Sequence, residues 1–372
     1  MTIVGEEKKI LFIDFGPGFG GSVVNLAKIL AAKGCLRITP FVLTDHCDEE
    51  SLRLLSLDAV DIRYLRRQQP GLFMNKFACR CDCIFLKKSF YFISLIFKTL
   101  LNIAFYCRVW SFAKKISPDI VQFNNVMGFD EAILAWLIGK KTICHAQRAV
   151  DASRMTRFCL RFADRIVAIS DYVKKSFLNA GVPEEKIVLI YNAVDVGRIN
   201  ELSLESNCVL QDVADFEGYK IGLFGCLLPW KGQDVLIDAA KILLHQKRVE
   251  NIRFFLVGSS PGESRYSDFL RQKVAELGLE EYVKFSGHCK NVYPFMRAMD
   301  LVVHTSLEPE PFGLVLIEAM ALGRPVIATN HGGPTEIIRN GQDGFLVEPG
   351  NAQVLADNIY GLLEDENKRF VM

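Results

Sequence analysis

Residues 301–338 read LVVHTSLEPEPFGLVLIEAMALGRPVIATNHGGPTEII, and the order of signals in them decides the fold. Leu301–His304 is a short apolar run of the buried-strand kind. Thr305–Phe312 is a loop stiffened by Pro309 and Pro311. Gly313 opens a helical run, Leu314–Leu322, which Gly323 ends. Pro325–Ala328 is the next strand. Strand, loop, helix and strand in this order make a parallel βαβ unit. The chemistry in it asks for an explanation: Glu310 before the turn, Glu318 inside the helix, and a glycine pair, Gly332-Gly333, further on.

Working outward, the same pattern recurs. Lys220–Phe224, Phe254–Val257, Val283–Phe285 and Gly344–Val347 are strand-like, with helical stretches between them. An earlier series comprises Ile10–Phe15, Ile120–Phe123, Lys141–Cys144 and Ile166–Ile169. After Ile10–Phe15 comes a Gly-rich turn, 16–22, and then Val23, Leu26, Ala27 and Leu30 at helical spacing, with Val24 and Ile29 widening the face. Two series of βα units predict two doubly wound α/β domains. The polar, acidic stretch 198–218 is read as the linker, giving domains 1–197 and 219–372. A chain of 372 residues suits two domains of this size.

Half of the residues are hydrophobic and the formal net charge is +1, so nothing in the overall balance points to nucleic acid. Eleven cysteines are scattered without paired CxxC motifs; Cys79, Cys81 and Cys83 form the tight cluster. Reduced structural thiols in a cytosolic protein are the reading, against a disulfide framework or a zinc site. The N-terminus, MTIVGEEKKILFIDF, is not a signal peptide, because acidic residues precede an apolar run that reads as the first strand. Residues 61–115 carry eleven Lys and Arg against two Asp. Set within them, Tyr91–Tyr106 is aromatic and apolar with Lys98 near its middle. A membrane span needs about 20 apolar residues, so the stretch is read as lying on an anionic membrane surface; a core helix with a solvated basic flank is the alternative.

The residues around Gly313 suit a nucleoside diphosphate. The first amides of the 314–322 helix are unpaired and carry the positive end of its dipole. Gly313 leaves room for a phosphate to approach. Glu318 lies five residues beyond it, roughly 7.5 Å along the axis at about 1.5 Å per residue, where a carboxylate could accept from a ribose diol. Glu310 lies on the other side of the phosphates, where a transferred sugar would be. A Glu-x7-Glu spacing alone is weak; a solvated Glu318 is the bland alternative. Inside Pro-Glu-Pro-Phe-Gly-x4-Glu-Ala-Met-Ala-x-Gly-x-Pro-Val-Ile-Ala the spacing is specific.

In these residues the sequence resembles the retaining GT-B glycosyltransferases of family 4, also called group 1. His331–Ile338, Gly341–Val347, Phe224–Gln233, Ala163–Ser170 and Tyr191–Asp195 extend the resemblance over most of the C-terminal half and part of the N-terminal half. It implies two Rossmann-like domains facing each other across a cleft, and transfer of a sugar, with retention, from a nucleotide-sugar co-substrate without a metal or other cofactor. It implies that Lys231 neutralises the diphosphate, that Glu310 and the Phe312, Gly313 and Leu314 backbone hold the sugar, and that Glu318 holds the ribose. His288 falls where the family reads the base, His145 where it contacts the sugar, and Gly20 and Gly21 where the first domain approaches the phosphates. Cys226 departs from the pattern, since the family usually has an Arg there and a thiol supplies no cationic fork. The chain ends at Met372, where relatives usually continue with helices that cross back to the first domain. The acceptor implied is a lipid-linked or membrane-associated glycan of a surface polysaccharide such as lipopolysaccharide, met at the inner face of the plasma membrane by a peripheral, cytoplasmic enzyme. Two other readings stay open: a nucleotide-sugar epimerase, and a nucleotide-sugar-binding protein with reduced or lost transfer.

Overall fold

The computed structural model describes residues 7–15, 21–31, 37–45, 61–66, 97–205, 211–260 and 265–371. Gly20, the cysteine cluster 79–83 and the first part of the aromatic stretch 91–106 lie outside them. The chain divides into two compact units, Met1–Tyr191 and Asn192–Met372.

Among the described residues the first unit is built on a parallel sheet of seven strands: β1 Lys8–Asp14, β2 Ile38–Thr44, β3 Asp61–Tyr64, β4 Ile120–Phe123, β5 Lys141–Ala146, β6 Arg165–Ala168 and β7 Ile187–Leu189. Their order is β3-β2-β1-β4-β5-β6-β7. The helix Gly21–Ala31 follows β1 and buries Val23, Leu26 and Leu30 against Phe12 and Val42. Their spacing of three and four residues is the sequence stripe seen above.

The second unit has six parallel strands: β8 Tyr219–Phe224, β9 Ile252–Val257, β10 Val283–Gly287, β11 Leu301–His304, β12 Val326–Thr329 and β13 Phe345–Val347, in the order β10-β9-β8-β11-β12-β13. Successive side chains serve opposite faces. Leu301 and Val303 join Ile221, Leu223, Phe254 and Leu256 in one core, while Val302 joins Phe255, Val257, Val326 and Ala328 in the other. Both faces are covered, which is why these strands read as unbroken apolar runs rather than alternating ones. Both sheets are doubly wound, and each has Rossmann-like topology with a reversal of strand order, beside β1 and beside β8.

Three strands were not read from the sequence. Asp61–Tyr64 and Ile187–Leu189 are short edge strands; the first is mostly exposed and carries no apolar run, and the second is an apolar run of only three residues. Ile38–Thr44 contains Pro40, a residue that ordinarily argues against an inner strand. Part of the stretch expected as linker, 198–218, packs within the second unit. The helix Val196–Leu202 buries Ile199 beside Phe255 and Phe295, and the Leu202 carbonyl accepts from Asn291 Nδ2 at 2.9 Å. One buried residue in a polar helix leaves little periodic signal. Among the described residues no helix is long and apolar enough to cross a membrane.

Phe295 keys the second core. Its ring meets Phe224 edge-on at 6.1 Å and Phe255 at 5.7 Å, and it is 1 % exposed. Phe295→Ala is expected to cost about 3–5 kcal/mol, and Phe295→Leu less, because a smaller cavity remains. Urea unfolding measures both; a loss under about 1 kcal/mol for the Ala variant would show that the site collapses around the missing ring.

Candidate active site

The reversal of strand order in the second unit puts β8 beside β11, so the loops leaving their carboxyl ends diverge from one point. Open α/β sheets bind ligands at such a crevice. The β8 loop runs through Cys226 to a single 3₁₀ turn, Pro229–Lys231, and reaches the helix Gln233–His245 through Gly232. The β11 loop holds Thr305–Phe312. Backbone contacts tie the two together: Leu307 N donates to the Trp230 carbonyl at 2.7 Å, and Thr305 Oγ1 donates to the Lys231 carbonyl at 2.9 Å. Gly232 allows this, since a Cβ on it would sit 2.2 Å from the Thr305 carbonyl oxygen.

Between these loops lies Glu310, with its carboxylate Oε2 receiving three donors. Lys231 Nζ is at 2.5 Å, His304 Nε2 at 3.2 Å and Ser306 Oγ at 3.4 Å. Lys231 also lies over the Trp230 ring, 4.2 Å from its centroid. His304 and Ser306 are buried. His304 Nδ1 is buried without a hydrogen-bond partner, and an N–H there would lose its hydration for nothing. The ring proton therefore belongs on Nε2, facing Glu310. Burial alone would raise the pKa of Glu310, but the His304 hydrogen bond and the Lys231 charge outweigh it and hold the carboxyl at about 2. Glu310 is thus an ionised acceptor at any physiological pH.

The glycine pair explains itself here. The Glu310 carbonyl accepts from Gly333 N at 2.7 Å, and a Cβ on Gly332 would lie 2.4 Å from that same carbonyl oxygen. A Cβ on Gly333 would lie 2.4 Å from the Phe312 carbonyl oxygen. His331, just before them, donates from Nε2 to the Ser306 carbonyl at 3.0 Å. The pair thus clamps the backbone of 310–312 from below, where any side chain would displace it.

Gly313 takes φ +107°, and the helix Leu314–Ala321 starts from it with no side-chain cap. Phe312 is buried, while Leu314 is half-buried at the first helical position. Glu318 lies on this helix, and Tyr293 Oη donates to its Oε1 at 3.3 Å. Cys226 is exposed, and its carbonyl accepts from Gln233 Nε2 at 2.9 Å. His288 is exposed just beyond β10. The second unit therefore brings Lys231 and Glu310 into contact and sets Glu318 further along the helix that follows. His304, Ser306, Trp230 and Tyr293 went unread in the sequence. For His304 and Ser306 a signal existed: both sit at the carboxyl end of a strand that precedes the glutamate loop. Tyr293 had none, because its contact depends on how two helices pack. Among the described residues no group of three or more His, Cys, Asp or Glu side chains is placed to hold a metal ion.

In the first unit, Gly21 opens the helix after β1. His145 lies within β5, which runs one residue beyond it to Ala146. It is 8 % exposed, and Gln147 Nε2 is 3.3 Å from each ring nitrogen. Burial pulls its pKa down to about 4, so the imidazole is neutral at pH 7. An unfolded chain protonates this His below about pH 6.5, while the folded one resists until about pH 4. Its contribution is complete above pH 6.5 and lost as pH falls toward 4. Over that window wild type should lose about 3 kcal/mol relative to His145→Gln. Denaturant titrations from pH 7.5 to 4 read the difference; parallel curves would place the ring in contact with water.

Residues 214–372 match the family described as glycosyl transferases group 1, and residues 86–198 match glycosyltransferase family 4. The chain is 30% identical over 214 residues to N-acetyl-alpha-D-glucosaminyl L-malate synthase of Bacillus anthracis, covering 58% of this chain and 54% of that one. It is 28% identical over 222 residues to the capsular polysaccharide biosynthesis glycosyltransferase CapM of Staphylococcus aureus, covering 58% and 56%. The aligned stretches thus span about half the length of these curated relatives. Along nearly the whole chain it resembles Anabaena HepE, solved in complex with UDP-glucose, with a TM-score of 0.74 and 28% identity over 98% of this chain and 92% of HepE. With one glycosyltransferase match in each unit and a whole-chain likeness to HepE, the chain belongs to the family 4, or group 1, glycosyltransferases of the GT-B fold.

Proposed function

We propose that this protein is a retaining glycosyltransferase that moves a sugar from a nucleoside-diphosphate sugar to a lipid-linked or membrane-associated glycan during surface polysaccharide synthesis. The observation that carries this reading is the Lys231–Glu310–His304 cluster at the β8/β11 reversal, one turn away from an uncapped helix start. The UDP-glucose complex of HepE supports a nucleotide-sugar donor.

In this reading the diphosphate lies at the start of helix 314–321. Lys231 has three N–H groups, so it can hold Glu310 and meet a phosphate oxygen together. As the bond from the anomeric carbon to the diphosphate breaks, charge grows on the leaving phosphate, and the ammonium stabilises it. The leaving phosphate takes the acceptor proton on the same face, so no protein nucleophile is assigned. Glu310 accepts from hydroxyls of the sugar and Glu318 from the ribose. Exposed Cys226 adds no fixed cation to this loop. That feature favours a second reading, a donor-binding protein with weakened transfer, which shares the same donor site. Release of nucleoside diphosphate from donor by pure protein separates the two.

A thermal-shift screen of nucleoside diphosphates and their sugars names the donor class. With it in hand, Glu318→Ala should weaken nucleoside-diphosphate binding by roughly tenfold or more, as expected for lost hydrogen bonds to a carboxylate, about 1.5–3 kcal/mol. Glu310→Ala should leave that affinity nearly unchanged and lower transfer instead. Equal loss of affinity in both variants would sink this division of roles.

The acceptor side of the reading rests on the basic region 61–115. Its described part includes the helix Ile103–Ile116, which exposes Ile103, Arg108, Trp110, Lys114 and Lys115, with the Lys114 ammonium 4.4 Å from the Trp110 ring centroid. Phe97, Leu100 and Leu101 are exposed just before it. An aromatic and basic face of this kind suits the headgroup region of an anionic bilayer at the inner face of the plasma membrane, where each Lys or Arg adds about 1 kcal/mol. Sedimentation with phosphatidylserine vesicles should carry the protein down at low salt and release it at high salt. Replacing Arg108, Lys114 and Lys115 by Gln together with Trp110→Ser should abolish sedimentation. No binding by wild type at low salt would reduce the region to a solvated face.

A further inference from the structure

The donor reading assigns the ribose to Glu318 but leaves open what aims that carboxylate. A glutamate on a helix has three rotatable bonds, and ordering it costs side-chain entropy that a ligand would otherwise have to offset. We propose that Tyr293 is a positioning residue for nucleotide recognition: its phenol holds the Glu318 carboxylate in the orientation that accepts the ribose diol. The inference rests on the donor-site reading above and deepens it.

The geometry is a contact between two helices distant in sequence. Tyr293 opens the helix Tyr293–Arg297, and its Oη donates to Oε1 of Glu318 at 3.3 Å. Its own base is well held. Tyr293 N donates to Asn291 Oδ1 at 3.2 Å, while Asn291 Nδ2 donates to the Leu202 carbonyl and to Glu205 Oε2, both at 2.9 Å. Two residues on, Phe295 is locked between Phe224 and Phe255. The ring therefore has little freedom, and a Tyr has only two side-chain torsions to fix. Glu318 is free of neither burial nor charge: it sits half-buried on a mostly apolar helix. A neutral O–H donor holds it there without competing for the diphosphate as a cation would.

Chemistry supports the direction of the bond. Burial, then the Glu318 charge, raises the pKa of the phenol, so it stays protonated and donates at all physiological pH values. A carboxylate has about four lone-pair sites on two oxygens. Tyr293 takes one of them, and the adjacent hydroxyls of a ribose would donate to others. The ligand class is a ribonucleoside diphosphate, distinguished from its deoxy form by that pair.

The test is a comparison of UDP with 2′,3′-dideoxy-UDP, titrated calorimetrically into wild type and Tyr293→Phe. Phe keeps the ring and its packing, and a thermal melt verifies that the fold is retained. Wild type should prefer UDP. In Tyr293→Phe the UDP affinity should fall about 3- to 10-fold, less than for outright loss of the Glu318 bonds, while dideoxy-UDP binds as before. The preference for the ribose hydroxyls thus shrinks by the same factor. An unchanged preference would overturn the proposal, and so would an equal loss for both ligands, which marks a general structural defect. Wild type that binds UDP and dideoxy-UDP alike would overturn the ribose role of Glu318 and this inference with it. Wild type that binds neither would overturn the donor-site reading for uridine nucleotides as well, so the failures are distinguishable.

Discussion

A carboxylate only 15 % exposed is the constraint around which the second unit is organised. Removing an unpaired carboxylate from water costs several kcal/mol, so Glu310 can be drawn largely out of water only where donors surround it. Lys231, His304 and Ser306 all donate to one oxygen. These donors come from two loops, since Lys231 and Glu310 lie 79 residues apart in the chain. The loops must then be fastened to each other, and the Leu307–Trp230 and Thr305–Lys231 hydrogen bonds do so. The glycines at 232, 332 and 333 follow from the same demand, because each stands where backbone meets backbone. Removing one partner would leave the rest of the network unsatisfied, which is more damaging than the loss of one contact.

The sheet makes this arrangement possible. Where strand order reverses, neighbouring loops leave the sheet in opposite directions and open a crevice between them. β8 and β11 are those neighbours, and their loops carry the cation and the carboxylate. The strands below are buried on both faces, so the loops rise from a stiff base. The helix 314–321 continues from the β11 loop, so the spacing between Glu310 and Glu318 is set by one turn and a helix of fixed pitch.

Much of the candidate site was legible. Glu310, Glu318 and Gly313 were marked by their spacing within a strand–loop–helix unit, a purely local pattern, and Lys231 by the family resemblance of Phe224–Gln233. The need for Gly332-Gly333 was visible as a motif but not as a cause; only the folded chain shows the 310–312 backbone pressed against it. His304 was legible in part, as a polar residue ending an apolar strand. Tyr293 was not, because no periodicity relates position 293 to position 318. The edge strands Asp61–Tyr64 and Ile187–Leu189 were missed for a different reason: the first is mostly exposed and owes its place to backbone pairing with a neighbour, and the second, though apolar, is only three residues long.

By itself, then, the sequence determined what depends on residues close along the chain. That includes the two series of βα units, the apolar stripe of the helix after β1, the turn at Gly313 and the separation of the two glutamates. Tertiary structure alone decided which loops meet, that Lys231 rests on Glu310, that Val196–Leu202 packs into the second unit through Ile199, and that a tyrosine from another helix holds Glu318. The physical reason is range. Helical pitch, strand alternation and turn chemistry act over a few residues and are written in local order. Burial of a charge and the packing of one helix on another join positions tens of residues apart, and they come into being only when the sheet has brought those positions together.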